Sequence, residues 1–302
     1  MTRNRSRSSI WMACAVLLLV LAPSLALGGK GGLQPRPELL VSVDWLAGRL
    51  DQPNLRIVDL RSAKAYRKGH IRGAVHFPAR LLFARVGGVE GMLPPVARVA
   101  GNMGKAGIGP ETVVVAYDDS RGLYAARLFW ALDYIGQSKG RLLDGGWPLW
   151  LGRGLSVSTR TPRVTPLKLT PRPLPERIAV LKWMEGNIKA AGTLYVDARS
   201  TWEYRGITKY SKFRGHIPGA VSMEWKRHLR SDGTMRPPGE LVRLFKARGI
   251  TPDKKIAVYC QIMVRAAHSY FVLKWLGFPQ VRGYDGSWAE WGNLEHTPKE
   301  LF

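Results

Sequence analysis

Cysteine is scarce in this sequence: Cys14 and Cys260 are the only two among 302 residues. Cys14 lies in an apolar N-terminal run typical of a secretory signal, so we expect Cys260 to be the one cysteine of the mature chain. One cysteine excludes an internal disulfide and any metal site built from several thiolates. An exported lone thiol risks oxidation and mispairing, so its retention favours a chemical role.

Acidic side chains are also few, since 22 Asp and Glu stand against 46 Lys and Arg, a net charge of +24. Such an excess suits nucleic acid, an anionic membrane surface or small anionic substrates. The basic residues are spread through both halves, and no recognised nucleic-acid motif or basic-aromatic platform is present. We therefore expect no nucleic-acid partner, while small anions and an acidic partner stay open.

Long apolar runs are lacking beyond the N-terminus. Residues 1–28 contain three early arginines, an apolar stretch over residues 10–22, a break at Pro23 and then small residues. This order predicts a secretory signal peptide cleaved after Ala26 or Gly28. An uncleaved anchor is the alternative, but Pro23 shortens the run below a comfortable membrane span. We expect a protein of the periplasm or cell envelope, with no integral membrane span after cleavage and a net charge of +21.

What the chain does contain is an internal repeat. Residues 55–62 read LRIVDLRS and residues 194–200 read LYVDARS, each a short buried strand that ends in Asp-x-Arg. Residues 69–75 read GHIRGAV and residues 215–221 read GHIPGAV, and later DGGW at 144–147 matches DGSW at 285–288. The offset between corresponding positions is 138 for Asp59 and Asp197 and rises to 146 for His70 and His216, because the second copy carries 8 extra residues before its Gly-His-Ile segment. It is 142 for Asp118 and Cys260 and 141 for Asp144 and Asp285.

The repeat predicts a duplicated α/β domain, each copy a mostly parallel sheet flanked by helices. We place the first domain at residues 36–154 and the second at residues 178–302. The linker between them, residues 155–177, contains five prolines after residue 160. Proline stiffens the backbone and opposes regular secondary structure, so we expect an extended linker along the surface.

The remaining cysteine lies at a strand-to-helix junction in the second copy, where residues 256–265 read IAVYCQIMVR. An apolar, β-rich run ends at Cys260, and a helical pattern begins at Ala266. Ligands of α/β sheets bind at the carboxyl ends of the strands, and backbone N–H groups at a helix start stabilise a thiolate. The alternative is a small buried apolar residue, the usual fate of a free cysteine.

These features together resemble the tandem-domain rhodanese family of thiosulfate and 3-mercaptopyruvate sulfurtransferases. The resemblance rests on the paired Asp-x-Arg strands, the two Gly-His-Ile-x-Gly-Ala segments, the six-residue cysteine loop and the terminal YDGSWAEW, and it extends from about Leu39 to the end. It implies that Cys260 is the nucleophile and carries a persulfide, with no other cofactor. Small sulfur-containing anions are then the substrates, cyanide or a thiol accepts the sulfur, and we expect a monomer.

The resemblance also assigns individual site residues. The active loop, whose N–H groups would cradle the sulfur anion, consists of Gln261, Ile262, Met263, Val264 and Arg265. Arg265 is a candidate for binding an anionic donor, although it could equally bond the loop's own carbonyls. Many family members carry a substrate arginine where this chain has Glu203, with Arg205 two positions later, and Trp225 is a candidate for the cleft lining. The first copy has Asp118 in place of Cys260, which implies a catalytically silent, structural domain.

Other function classes fit less well. A cysteine phosphatase needs a loop one residue longer between cysteine and arginine, and a cysteine protease needs a histidine base. His268 lies about two helical turns after Cys260 and is expected to be a packing residue. The second class that stays open is a non-enzymatic docking module, which would bind an anionic partner in the cell envelope.

Overall fold

Two similar halves make up the described chain. A computed structural model describes Met1 and residues 33–301, so the predicted signal peptide and Cys14 lie outside the described residues. The strands of the first half are β1 (Leu40–Val41), β2 (Leu55–Asp59), β3 (His70–Ile71), β4 (Val75–His76), β5 (Ala84–Val86), β6 (Val89–Met92), β7 (Val113–Tyr117), β8 (Gly140–Leu143) and β9 (Val157–Ser158). Its helices are α1 (Val43–Ala47), α2 (Ala63–Lys68), α3 (Val96–Lys105), α4 (Leu123–Tyr134) and α5 (Gly146–Gly152).

The second half repeats this order of elements. Its strands are β10 (Ile178–Ala179), β11 (Thr193–Asp197), β12 (Val221–Ser222), β13 (Lys255–Tyr259) and β14 (Val281–Tyr284). Its helices are α6 (Leu181–Asn187), α7 (Thr201–Tyr204), α8 (Pro238–Lys246), α9 (Arg265–Trp275) and α10 (Ser287–Trp291). None of the helices in the described part of the chain is long and apolar enough to cross a bilayer.

Each half is built on one five-stranded sheet. The strand orders are β1-β8-β7-β2-β4 and β10-β14-β13-β11-β12, and every pairing within these two sheets is parallel. Helices between successive strands cover the sheets, as parallel connections require. The predicted fold of two α/β domains, each a mostly parallel sheet flanked by helices, is therefore confirmed. Strands β7 and β13 are central, so Asp118 and Cys260, which follow them, occupy equivalent places at the carboxyl edge.

The repeated Asp-x-Arg pairs are structural ion pairs. Asp59 accepts hydrogen bonds from the buried Arg61 guanidinium at 2.6–3.1 Å, and the same guanidinium donates to the carbonyl of Gly69 at 2.6 Å. The second copy repeats the arrangement with Asp197, Arg199 and Gly215. Each pair thus ties the end of a strand to the Gly-His-Ile segment, which explains why both motifs occur twice.

The two histidines of the Gly-His-Ile segments have matching contacts. The Nδ1 atoms of His70 and His216 lie 2.9 Å from the carbonyls of Tyr66 and Tyr204, respectively. Each imidazole also stacks on the ring of that tyrosine, with centroids 3.8 and 3.7 Å apart. Identical contacts in both copies indicate that these histidines support the fold rather than the chemistry.

The proline-rich segment between the halves runs along the first half. After the short strand β9 it has no regular structure until a 3₁₀ turn at Pro175–Arg177. Its backbone N–H groups donate to carbonyls of the first half: Leu167 to Gly104 at 2.9 Å, and Arg172 to Ile135 at 2.8 Å. The segment is thus extended and anchored.

Helices α4 and α9 pack against each other between the sheets and join the halves. Phe129 of α4 makes an edge contact with Phe271 of α9, with ring centroids 5.0 Å apart, and the Tyr270 hydroxyl donates to Asp133 at 2.5 Å. One hydrophobic core contains buried residues of both halves, and the described residues from Leu33 onward belong to one compact unit. The position of α9, which begins at the cysteine loop, therefore depends on the first domain.

A buried pair of histidines lies behind this interface. The Nδ1 atoms of His228 and His268 are 3.4 Å apart, and both rings are fully buried. Trp225 packs edge-on against His268, with centroids 5.3 Å apart. Burial lowers the pKa of His268 to about 3 and lowers the pKa of His228 well below its usual value, because a charged imidazole loses its hydration there.

These two histidines predict a loss of stability in acid. In the unfolded chain each imidazole titrates near pH 6.5. Below that pH the two imidazoles are protonated in the unfolded state but stay neutral in the folded state. Stability is fully present above about pH 6.5 and falls as the pH is lowered towards 3, by up to about 1.4 kcal/mol per pH unit for each histidine. Urea unfolding at several pH values should give a shallower acid slope for His268→Asn than for wild type. Parallel slopes would contradict this assignment.

Candidate active site

Cys260 lies directly after the central strand β13, at the carboxyl edge of the second sheet. It is fully buried, so a small molecule reaches the sulfur only after side chains around the loop move. The loop turns sharply into α9 through Met263, whose φ of 55° is in the left-handed region. Arg121 has a φ of 60° at the same point of the first domain's loop, so the two loops share this feature although their sequences differ.

The Asp-Gly-Ser-Trp motif holds the cysteine loop in place. The Ser287 hydroxyl accepts hydrogen bonds from the N–H groups of Cys260 at 3.3 Å and Met263 at 3.1 Å, and it donates to the Tyr284 carbonyl at 2.8 Å. The Trp288 N–H donates to the Cys260 carbonyl at 2.9 Å. The sequence showed this motif as a repeat, but not that it braces the loop.

The first domain shows what such a loop binds. The Asp118 side chain accepts hydrogen bonds at 2.7–2.9 Å from four backbone N–H groups, those of Ser120, Gly122, Tyr124 and Ala125. Burial raises the pKa of Asp118, and the four N–H donors oppose that rise because they favour the charged carboxylate. The loop after a central strand of this fold is therefore an anion cradle, filled in the first domain by the protein's own carboxylate.

The arginine that ends the cysteine loop is held by an ion pair. The Arg265 guanidinium donates two hydrogen bonds to Glu203, at 2.6 and 2.8 Å. Burial pushes the pKa of Glu203 upward, but Arg265 and Ser200 outweigh it and keep the pKa below its usual value. At the corresponding positions the first domain has Ala65 and Leu123. The ion pair is thus specific to the copy with the cysteine. It engages the Arg265 guanidinium, which sequence analysis proposed for binding an anionic donor or the loop's own carbonyls.

A second arginine reaches the loop from the other domain. Arg127 of α4 is fully buried, donates to Asp285 at 3.1 Å and lies 3.4 Å from the Met263 carbonyl. Asp285 also accepts the Leu93 N–H of the first domain at 2.8 Å. Burial raises the pKa of Asp285 and lowers that of Arg127, since each group loses water, while each charge opposes the shift of the other. Sequence analysis did not identify Arg127, because its helix contains no motif that indicates a functional residue.

The other predicted loop residues face different surroundings. Gln261 donates through Nε2 to the Ser211 hydroxyl at 3.1 Å. Ile262 packs on the first domain at Gly91, where an added Cβ would lie 2.6 Å from the Ile262 Cβ. Met263 is fully buried, with its methyl group against Gly283, and Val264 immediately precedes α9.

Two further candidate residues, Arg205 and Trp225, have surroundings different from those of the cysteine loop. Arg205 is exposed, and the described residues offer it no ion-pair partner. Trp225 is 6% exposed and packs against His268. The structure therefore brings the loop, Arg265 and Glu203 together, places Arg205 at the surface and places Trp225 in the core.

The geometry is that of a known family. The Rhodanese-like domain family matches residues 42–153 and again residues 180–294. The chain belongs to the rhodanese family. Curated relatives include a thiosulfate sulfurtransferase of Azotobacter vinelandii, 39% identical over 87% of this chain and 97% of that protein, and the sulfur carrier protein TtuD of Thermus thermophilus, 36% identical over 87% and 96%. A probable 3-mercaptopyruvate sulfurtransferase of Pseudomonas aeruginosa is 35% identical over 83% and 94%.

Solved structures share the fold of this chain. The anaerobic ergothioneine biosynthesis enzyme from Chlorobium limicola, in complex with trimethyl histidine, superposes with a TM-score of 0.79 at 25% identity, over 87% of this chain and 70% of that one. With these relatives, the prediction of a rhodanese-family sulfurtransferase is confirmed.

Proposed function

We propose that this rhodanese moves a sulfane sulfur from thiosulfate to a thiophilic acceptor through a persulfide on Cys260. One observation carries the proposal: Cys260 occupies the position at which the first domain's loop binds the carboxylate of Asp118 with four N–H groups. The same offsets after Cys260 fall on Ile262, Val264, Ala266 and Ala267. A loop of this kind suits the negative charge of a thiolate or a persulfide.

The reaction balances without an external cofactor. The Cys260 thiolate attacks the outer sulfur of thiosulfate, the S–S bond of the donor breaks, and sulfite leaves with the electron pair. Cyanide or a thiolate then attacks the outer sulfur of the persulfide, and the Cys260 thiolate is released again. The covalent intermediate separates the two half-reactions.

Positive charge near the loop supports the anionic states. A negative charge on Cys260 interacts favourably with both Arg127 and Arg265, and in each case it favours the protonated guanidinium. The interaction is mutual, so each guanidinium attracts an anion at Cys260, while each is also paired with a carboxylate, Glu203 for Arg265 and Asp285 for Arg127. We assign Arg265 and Arg127 to this electrostatic role. Gln261, Ile262, Met263 and Val264 shape the loop, and we assign Arg205 and Trp225 no part in the transfer step.

Steady-state kinetics test the proposal. With thiosulfate and cyanide as substrates, we expect parallel lines in double-reciprocal plots, since the first product leaves before the second substrate binds. 3-Mercaptopyruvate, a donor suggested by the name of one relative, serves as the comparison. Intersecting lines, or no thiocyanate from either donor, would argue against a persulfide mechanism.

We also propose that the mature protein is exported to the periplasm or cell envelope and is monomeric there. The support for export is the sequence of residues 1–28, with its early arginines and apolar run. N-terminal sequencing of the protein from an envelope fraction should read a start at Leu27 or Gly29. An intact N-terminus would favour an anchor instead.

A further inference from the structure

An exposed apolar cluster lies on the second domain. Trp202, Ile207 and Tyr210 are 63%, 52% and 67% exposed, three large hydrophobic side chains within nine positions. The Trp202 carbonyl accepts the N–H groups of Ile207 and Thr208 at 2.9 and 3.1 Å, which brings the backbones of Trp202 and Ile207 together. Scattered exposed apolar residues need no explanation, but a group of this kind is typical of an interaction site.

Two of the three residues, Ile207 and Tyr210, lie in the longer segment of the second copy. Eleven residues, 205–215, separate Tyr204 from His216, whereas three residues, 67–69, separate Tyr66 from His70. The first domain also has Lys64 where the second has Trp202. The duplication therefore provides an internal comparison: the copy without the cysteine has neither the segment nor the aromatic residue.

The same segment contacts the cysteine loop. Gln261, next to Cys260, donates through Nε2 to the Ser211 hydroxyl at 3.1 Å, and Ser211 donates to the Trp288 carbonyl at 3.2 Å. Trp288 in turn donates its N–H to the Cys260 carbonyl. The buried Oε1 of Gln261 has no hydrogen-bond partner among the described residues. The segment that carries Ile207 and Tyr210 is thus hydrogen-bonded to the cysteine loop through Ser211.

The charge around the cluster is positive. Arg205, Lys209 and Arg214 are exposed, and within residues 33–301 they form no ion pair. Two carboxylates of this domain are engaged with other cations, since Glu203 binds Arg265 and Glu295 binds Lys212. A surface of exposed aromatic and aliphatic side chains among unpaired cations complements a partner that is acidic and partly apolar.

We propose that Trp202, Ile207 and Tyr210, with Arg205, Lys209 and Arg214, form an acceptor surface that docks an acidic protein presenting a cysteine thiol. The inference rests on the proposed function and names the acceptor. Cyanide and small thiols are too small to cover the three exposed apolar side chains, whereas a docked protein surface buries them. The acceptor thiolate attacks the outer sulfur of the Cys260 persulfide, the Cys260 S–S bond breaks, and the sulfur leaves as a persulfide on the acceptor.

Two synthetic peptides, each with one cysteine between two leucines, test the acceptor surface. One carries four flanking glutamates and the other carries four lysines, and cyanide is the small acceptor. Wild type should transfer sulfur to the glutamate peptide with a kcat/KM about tenfold higher than to the lysine peptide. The variant Trp202→Ser/Ile207→Ser/Tyr210→Ser should lose most of the rate with the glutamate peptide and keep its rate with cyanide.

Matched controls come from the first domain. Leu151 is 48% exposed there, so Leu151→Ser repeats the chemical change elsewhere, and Lys64→Glu matches Lys209→Glu. Neither control should alter the preference, whereas Lys209→Glu should reduce it. Equal rates of wild type with the two peptides, or an undiminished rate of the triple variant with the glutamate peptide, would overturn the acceptor surface while leaving the proposed function intact. Absence of transfer to cyanide as well would instead overturn the proposed function, and the inference with it.

Discussion

Cys260→Ser is expected to abolish sulfur transfer, with a fall in kcat of about a thousandfold or more. Serine is nearly the same size as cysteine and fits the same buried place after β13, so the loop and its hydrogen bonds to Ser287 should persist. A hydroxyl at neutral pH is a far weaker nucleophile than a thiolate, and it forms no persulfide. The measurement is thiocyanate formation from thiosulfate and cyanide, with the unfolding midpoint of both proteins as the check on folding.

A matched control is Asp118→Asn in the first domain. It alters the equivalent residue of the equivalent loop, but the account gives that loop no part in the chemistry. Stability should fall, because the amide presents only one acceptor oxygen to the four N–H groups that now bind Asp118. Turnover by the folded fraction should be unchanged. Substantial activity in Cys260→Ser would place the nucleophile elsewhere.

Arg127→Met is expected to lower the free energy of unfolding by about 3–5 kcal/mol. The fully buried guanidinium pairs with Asp285 at 3.1 Å and also donates to the carbonyls of Leu82 and Gly91 at 3.3 and 3.1 Å. Removal of the guanidinium leaves a buried carboxylate with only the Leu93 N–H as partner. Methionine fills much of the volume, so the loss comes chiefly from the uncompensated charge. Urea denaturation measures it.

A double-mutant cycle separates charge from packing. Arg127→Met/Asp285→Asn removes both charges and leaves an amide that still accepts the Leu93 N–H. The double variant should therefore recover at least about 1 kcal/mol relative to Arg127→Met alone. A cost below about 1 kcal/mol for the single variant would show that the pair does not hold the two domains and the loop as described.

Much of the fold followed from the repeat. Parallel sheets alternate with helices, so two matching sets of strand and turn motifs were sufficient to predict two α/β domains and to place Asp118 and Cys260 in equivalent loops. The Asp-x-Arg pairs were also predictable, because the two partners are two positions apart and their contact is local. The extended linker followed from its prolines.

The contacts that shape the site were not predictable in this way. Arg127 and Asp285 are 158 positions apart and meet only because α4 and α9 pack between the two sheets. Glu203 stands where many family members carry a substrate arginine, and sequence analysis assigned it no role. In the structure its carboxylate binds Arg265, 62 positions later. The burial of Met263 likewise depends on the packing of β14. Such details depend on tertiary packing, which local sequence patterns do not encode.

The persulfide itself is the most direct test of the account. The purified mature protein and Cys260→Ser are incubated with thiosulfate, then with 3-mercaptopyruvate, and each is weighed intact. We expect a gain of about 32 Da, one sulfur atom, that cyanide removes and that Cys260→Ser never shows. An unchanged mass with both donors would contradict sulfur transfer through Cys260 and favour a docking module instead.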